Sequence, residues 1–451
     1  MHQRRYFGTD GIRGLANSGN LHPDIVLRIG HAIGRKVRES HPGPERPRVL
    51  LVRDTRVSGP MISGILAGGL LGHGVDVLDG GVLPTPACAL VVRRESLALG
   101  LVVSASHNPM PDNGIKLFGP DGRKLSDDAE VDIERYIDQA ASRDTGLTGA
   151  DVGRLVPYAR AAELYLEAMG NEFFRDLDLA GRRVVIDCSH GAGSVITPRV
   201  LAALGAEVLA INAEPDGLNI NRDVGVFHAD RLAEVVRREK ADFGFSLDGD
   251  GDRVVMVDET GGVLDGDDIL AILAGEIDAG GPGLVATVMS NLGLKVLLKD
   301  RGIAFHETPV GDRYVAERMA STGARIGGEQ SGHVILREGD YWFGDGAYTA
   351  LRIAEIMART GKPLSALATA MDRFPQVLQN VPVSEKPPLS ELSRLQETQR
   401  RHQIALGDEG RILVRYSGTE SLARVMVEGR DRDRIAEVAR DLVEAIRAEI
   451  G

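Results

Sequence analysis

Three aspartates, Asp248, Asp250 and Asp252, alternate with glycines in SLDGDGDRVVMVD (246–258), between two apolar runs. Carboxylates this close repel one another unless a cation lies among them, and an all-oxygen donor set selects a hard ion, Mg²⁺ ahead of Zn²⁺. Gly249 and Gly251 let the loop curl so that the three side chains converge. A metal-free glycine–aspartate hairpin is the plainer alternative. An EF-hand is not: its spacing needs glycine where Arg253 stands, and the flanks read as strands.

A second stretch, LVVSASHNPMPDNGIKLF (101–118), ends an apolar run in Ser104, Ser106, His107 and Asn108, with Lys116 following. Two readings stay open here. Either serine and asparagine cap a proline-terminated turn, or a serine carries covalent phosphate beside a lysine that takes or returns a proton. The chain holds neither G-x-S-x-G nor G-x-x-x-x-G-K-[ST], so no hydrolase elbow and no triphosphate cradle is in view. In GGEQSGH (327–333), Glu329 and Ser331 suit neighbouring sugar hydroxyls. Arg415, Ser417, Gly418 and Thr419 fall in one tight turn, either an ordinary hairpin or a phosphate nest. A hard metal site, a reactive serine, a lysine, a hydroxyl-binding pair and a phosphate nest together describe phosphoryl transfer on a sugar phosphate.

The elements that must position these residues repeat. PRVLLVRDTRVSG (47–59), RRVVIDCSHGAGS (182–194) and PGLVATVMSN (282–291) each open a strand–helix–strand unit. They are closed by GHGVDVLDGGVLPTP, LGAEVLAINAEPDG and RGIAFHETPVGD, at the separation a βαβ crossover needs. Apolar runs without alternation indicate strands covered on both faces, hence mainly parallel sheets. The prolines of 375–390 break this rhythm. Beyond them, RILVRYSGTESLARVMVEG reads as two strands around a turn. The tail then places Ile435, Val438, Ala439, Leu442, Val443 and Ile446 on one helical face. The expected fold is α/β: three related α/β domains (1–150, 151–253 and 254–370) plus a smaller C-terminal α+β domain (371–451).

Composition narrows the partners. A net charge of −12 argues against nucleic acid, whose phosphates need a basic surface. Two cysteines, Cys88 and Cys188, without a CxxC, fit a reducing compartment. The N-terminal MHQRRYFGTDGIRG lacks the apolar core of a signal peptide. No run reaches the ~18 apolar residues of a membrane span, so a cytoplasmic protein is expected.

FGTDGIRG, SASHNP with NGIK, DGDGDR, VGDRYV, GGEQSGH and RYSGTE occur in an order that resembles the α-D-phosphohexomutase superfamily nearly end to end. The resemblance implies four domains arranged around a central cleft. It implies Ser106 as the phosphoserine, with Ser104 a support. Mg²⁺ would lie on Asp248, Asp250, Asp252 and the phosphate of Ser106. Lys116 and His107 would take acid/base or supporting roles, and Arg253 and Arg13 would steady the transferring phosphate. Glu329 and Ser331 would hold sugar hydroxyls, and Arg415, Ser417, Gly418 and Thr419 would anchor a phosphate. The reaction implied interconverts glucosamine 6-phosphate and glucosamine 1-phosphate, with glucosamine 1,6-bisphosphate or glucose 1,6-bisphosphate as activator. An amino-sugar phosphate is the expected partner, with no nucleic acid or membrane, and a homodimer is left open. Mannose or glucose phosphates are the nearest alternative substrates. An aspartyl-phosphate phosphatase using Asp248 and a non-catalytic sugar-phosphate sensor are further rivals. One departure stands out. Where the family has RPSGTEP, this chain has Tyr416 and Ser421 in place of the prolines, which predicts a looser turn and weaker affinity.

Overall fold

The computed structural model describes residues 5–8, 10–139, 145–417 and 421–451. They fall into two compact units, 1–288 with 304–369, and 289–303 with 370–451.

The first unit contains three sheets. The first is built from β1 (Ile12–Leu15), β2 (Arg48–Arg53), β3 (Asp76–Val82), β4 (Leu99–Val103), β5 (Asp112–Phe118) and β6 (Leu155–Pro157). The second comprises β7 (Arg183–Asp187), β8 (Glu207–Ile211), β9 (Phe243–Leu247), β10 (Val254–Asp258) and β11 (Val263–Leu264). The third comprises β12 (Leu284–Thr287), β13 (Phe305–Thr308), β14 (Ile326–Gly328), β15 (Val334–Glu338) and β16 (Tyr341–Gly344).

Their strand orders share one scheme. The runs β3-β2-β4-β5, β8-β7-β9-β10 and β13-β12-β14-β15 are the same walk across a sheet. In each, the first three strands are parallel and the fourth is antiparallel. The three related domains expected from the repeat are therefore present, with sheets that are mixed rather than wholly parallel. The second sheet continues past Arg253, because β10 and β11 pair onward from β9.

Burial explains the unalternating sequence. Every residue of β4, β9 and β12 is buried, as expected of strands with helices on both faces. Around the first sheet, Ile29 and Ile33 of helix Pro23–Ser40 and Leu66 and Leu70 of helix Gly59–Leu71 join Val49, Leu51 and Leu101 in one core.

The second unit is built on a three-stranded antiparallel sheet, β17 (Gln376–Pro382), β19 (Leu422–Gly429) and β18 (Gly410–Tyr416), in that order. Helix Arg432–Ile450 packs Ile435, Val438, Leu442 and Ile446 against Val425 and Val427. The apolar face read from the tail is this contact. Helix Leu292–Asp300 belongs to the same unit. The Asn291 carboxamide oxygen accepts the backbone N–H groups of Gly293 and Phe374, both at 3.0 Å.

Candidate active site

Buried β4 runs directly into the serine loop, where Ser106 adopts φ +53°. For a residue with a Cβ this left-handed conformation persists only when the surroundings enforce it. They do so in two ways. The Ser106 N–H donates to Ser104 Oγ at 2.9 Å, and Ser104 Oγ donates to Asp54 at 2.6 Å. Arg56, fully buried, then uses all five guanidinium donors. Its Nε bonds Asp54 (2.8 Å), and its terminal nitrogens bond the carbonyls of Ser106, Asn108, Pro109 and Asp112 at 2.5–3.0 Å. Asn221 reaches across from the second domain to bond the Ser106 and Asn108 carbonyls at 2.8 and 3.1 Å.

The aspartate loop is the turn between β9 and β10. Asp248, Asp250 and Asp252 are all buried and offer carboxylate oxygens within 4.8 Å of one another. Gly249 is required by its neighbour: a Cβ there would lie 2.6 Å from the Ser106 carbonyl oxygen. That close approach brings the two loops into register, and Ser106 Oγ donates to Asp248 at 2.5 Å. Lys116, pointing in from β5, donates to Asp250 (2.8 Å) and Asp252 (3.1 Å) and lies 3.2 Å from Asp10. Burial opposes the Lys116 charge, but Asp10, Asp250 and Asp252 outweigh it and hold the ammonium well above its ordinary range. At Asp248 the Arg253 cation is outweighed. Burial, then Asp252 and Asp250, pushes its carboxyl up to about 8.

The donor set fits a hard cation. Among the described residues, Asp250 Oδ1 is buried with no hydrogen-bond partner, and Asp252 Oδ1, buried likewise, has His333 Nδ1 nearest at 3.6 Å, beyond hydrogen-bond distance. Buried carboxylate oxygens left this way are costly unless something positive meets them. A metal ion can be held here.

The remaining residues of the first unit surround this pair of loops. Arg13 on β1 bonds the Ala105 carbonyl at 3.3 Å and Asn108 Oδ1 at 3.2 Å, and pairs with Asp10. His107 Nδ1 lies 3.2 Å from Ser106 Oγ. Burial, reinforced by Arg253 and Arg13, lowers its imidazole to about 4, so it is neutral at pH 7. Arg253 closes the aspartate loop and is largely buried, its charge favoured over desolvation by Asp248 and Asp252. Glu329 and Ser331 occupy the turn between β14 and β15. Glu329 is buried, which raises its carboxyl, and accepts the Gly311 N–H at 2.9 Å. That turn docks on the aspartate hairpin: Val254 N donates to the Gly332 carbonyl at 3.0 Å. Gly332 has φ +89°, and a Cβ there would sit 2.2 Å from the Val254 oxygen.

Several functional candidates escaped sequence reasoning. Asp54, Arg56 and Asn221 are the clearest. A second group is ionic: Lys124 pairs with both Asp10 and Asp312, while His333 lies 3.6 Å from Asp252 and 3.6 Å from Asp312. Burial opposes charge on His333, yet Asp252 and Asp312 overcome it and raise the imidazole to about 8. Asp312 and His333 stand inside VGDRYV and GGEQSGH, so the motifs were visible although the residues were not singled out.

In the second unit, Arg415 and Ser417 lie at the β18–β19 turn, while Gly418 and Thr419 lie outside the described residues. Arg415 faces Arg424 directly across the hairpin. Like charges so placed are destabilising, and a bound anion would relieve them. On the described side of this turn, two side chains bond backbone carbonyls. Tyr416 Oη donates to the Pro387 carbonyl at 2.8 Å, and Lys386 Nζ donates to the Ser417 carbonyl at 2.7 Å. These bonds tether the segment that proline would have stiffened.

Segments 4–144, 163–262, 265–374 and 378–445 match, in turn, α/β/α domains I, II and III of phosphoglucomutase/phosphomannomutase and the C-terminal domain. The chain belongs to the phosphoglucomutase/phosphomannomutase family. Within it, the phosphoglucosamine mutase of Azorhizobium caulinodans is 46% identical over 98% of this chain and 99% of its own. A crystal structure of a family protein from Burkholderia thailandensis matches with a TM-score of 0.79 at 26% identity, covering 98% of this chain and 97% of its own. The N-acetylphosphoglucosamine mutase of Aspergillus fumigatus, solved with GlcNAc-6P and magnesium, shares the fold at TM-score 0.65 and 17% identity, over 99% and 96% of the two chains. Among the described residues, no helix is long and apolar enough to cross a membrane.

Proposed function

We propose that this chain is a phosphoglucosamine mutase that interconverts glucosamine 6-phosphate and glucosamine 1-phosphate through a phosphoserine at Ser106. The observation that carries the site assignment is the 2.5 Å contact of Ser106 Oγ with Asp248, inside a buried carboxylate triplet. The near full-length identity to the Azorhizobium enzyme supports the substrate.

In the forward direction, O1 of glucosamine 6-phosphate attacks the phosphorus of phospho-Ser106. The P–Oγ bond breaks, and the proton lost from O1 passes to Ser106 Oγ. The bound 1,6-bisphosphate turns over, and Ser106 Oγ gives up that proton as it attacks the 6-phosphate. The bond from phosphorus to the sugar O6 breaks, O6 takes the proton, and glucosamine 1-phosphate leaves with phospho-Ser106 restored. Most of the work is positioning and charge. Arg13 and Arg253 would meet the phosphoryl oxygens. Neutral His107 is within hydrogen-bond reach of Ser106 Oγ and suits the proton shuttle at that atom. Lys116, held charged by three carboxylates, suits charge compensation better than proton transfer. Glu329 and Ser331 are assigned to sugar hydroxyls, and the 415–419 turn to a phosphate. Asp248, Asp250, Asp252 and the Ser106 phosphate would hold Mg²⁺, which when bound offsets negative charge on the transferring group.

The test is ³¹P NMR of the protein with Mg²⁺, a trace of hexose 1,6-bisphosphate, and glucosamine, glucose and mannose 6-phosphates in parallel. Fast conversion of the glucosamine ester is expected, and Ser106→Ala should abolish it. Faster conversion of glucose or mannose 6-phosphate would overturn the substrate. Free phosphate without a 1-phosphate would mean a phosphatase.

A further inference from the structure

A cavity of about 620 Å³ lies in the first unit, between helix Thr85–Arg94 and the 118–126 segment on one side and β15, β16 and helix Asp312–Thr322 on the other. Ser106, His107, Arg253 and Glu329 do not line it. It is a space separate from the reacting serine, sharing Asp252 with the carboxylate triplet. Its size is that of a small-molecule site. Its walls are mainly apolar and aromatic, with Leu90, Phe118, Ile335, Trp342 and Phe343 prominent.

The charges around it decide the ligand. Its buried carboxylates are already matched, Asp252 by Lys116 and Asp312 by Lys124; Asp121 and Glu317 also line it, but both are exposed to water. Arg313 is matched by Asp127 and Glu130. Arg93 and Arg123 are different. Arg93 stands 4.9 Å over the Tyr341 ring and bonds the Asp121 carbonyl at 3.4 Å; among the described residues its one carboxylate partner is Asp340, which is 80% exposed. Arg123 stands 4.5 Å over the Trp342 ring and, among the described residues, pairs with no carboxylate. Surface pairs of the Arg93–Asp340 kind hold their partners weakly. Two guanidinium groups above aromatic walls therefore stand ready for an acid carried on a flat apolar body.

We infer that this cavity binds a planar aromatic anion and that its occupancy regulates the mutase. The coupling has a physical route. Lys124 and Asp312 line the cavity, Lys124 bridges to Asp10, and Asp10 holds Arg13 and Lys116. An occupant that shifts Lys124 is felt at both cations beside the transferring phosphate, without entering the sugar's place. The regulatory half rests on the mutase reading above; the binding half does not.

The probe is 1-anilinonaphthalene-8-sulfonate, an aromatic sulfonate, titrated into the full chain. Trp342 is the single tryptophan of the sequence, so its emission reports this cavity. The expected result is a saturable loss of Trp342 emission. The Arg93→Gln/Arg123→Gln double variant should weaken binding at least tenfold, and Ala89→Leu, which fills the cavity, should do the same. Circular dichroism and mutase activity without probe check that both variants fold. At saturating probe, kcat should fall at least threefold, and added glucosamine 6-phosphate should not restore it. Unchanged Trp342 emission, wild-type affinity in both variants, displacement of the probe by sugar phosphate, or an unchanged rate at saturation would each overturn the proposal. Inactivity of the unmodified protein would instead sink the mutase reading, leaving the fluorescence titration to decide the site.

Discussion

Ser104→Ala tests whether the geometry of the serine loop, rather than the mere presence of Ser106, drives transfer. The Ser104 hydroxyl makes two buried bonds, accepting from Ser106 N–H at 2.9 Å and donating to Asp54 at 2.6 Å. A neutral bond of this kind contributes about 0.5–1.5 kcal/mol and one to a carboxylate about 1.5–3, so their joint loss is about 2–4.5 kcal/mol. Ser106 sits at φ +53°, a conformation that costs about 1–3 kcal/mol where nothing enforces it. Freed of its N–H tether, the serine relaxes and its Oγ leaves the line of attack. If all of that energy appeared in the transition state, kcat would fall between about 30-fold and about 2000-fold. Arg56 and Asn221 still hold the Ser106 carbonyl, so the lower end is expected, about 30- to 100-fold, with KM within about threefold. The assay pairs initial rates from ³¹P NMR with denaturant unfolding and intact mass for phosphate on Ser106. A kcat within twofold of wild type, together with the expected loss of stability, would refute the reasoning, since the loop would then be braced without mattering to transfer.

Three further outcomes follow from the same geometry. Asp248 is raised to about 8; the folded state therefore keeps a proton that the unfolded state releases, and stability falls as pH rises from about 4 to 8. In EDTA, unfolding free energy measured at pH 5 and pH 8 should drop more for wild type than for Asp248→Asn, and Mg²⁺ should remove the difference. Gly249→Ala places a methyl 2.6 Å from the Ser106 backbone oxygen, so the two loops must separate. Its kcat should fall at least tenfold at near-normal KM, and unchanged kinetics would show that the loops need not touch. Lys386→Met removes the bond to the Ser417 carbonyl. It should raise KM for glucosamine 6-phosphate about three- to tenfold, the worth of one charged hydrogen bond partly exposed to water, at unchanged kcat.

What was legible in the sequence was whatever chemistry demands in rare local patterns. DGDGD, SASHNP and EQSGH are unusual because metal, phosphate and sugar each need polar side chains crowded at strand ends, and the repeated βαβ runs were visible through their apolar strands. What stayed hidden acts over long separations. Arg56 bonds four carbonyls, which any residue supplies, 50–56 positions away, so no pattern marks it. Asn221 works 115 positions from Ser106 for the same reason. The Asp10–Lys124–Asp312 group joins the first and third domains through charges that, read along the chain, resemble a solvated surface. The antiparallel fourth strand of each sheet was equally hard to read: β10 and the start of β15 are short apolar runs like the parallel strands beside them, and β5 opens on the turn-like Asp-Asn-Gly.

That fourth strand explains the division of labour among the loops. In all three sheets the functional loop joins the third strand to its antiparallel neighbour, at the carboxyl end of a buried strand where α/β sheets place their ligands. A hairpin returns at once, so paired strands clamp both ends of the loop. The closing pairs Leu247–Val254 and Gly328–Val334 leave 6 and 5 residues between them, while Val103–Ile115 leaves 11. The two short turns are positioned mainly by their own ladders, with glycine where another backbone comes close. The long serine loop cannot be. It carries Ser106, the residue proposed to be phosphorylated, attacked and re-phosphorylated in place, and it leaves 11 residues between its closing pair. The buried Arg56, with every donor spent on that loop, and Ser104, with its link through Asp54, supply what the ladder does not. Local order at Ser106 is thus set by side chains outside the Ser106–Asp248 contact, Ser104, Arg56 and Asn221, which is why the most informative substitution here leaves Ser106 itself untouched.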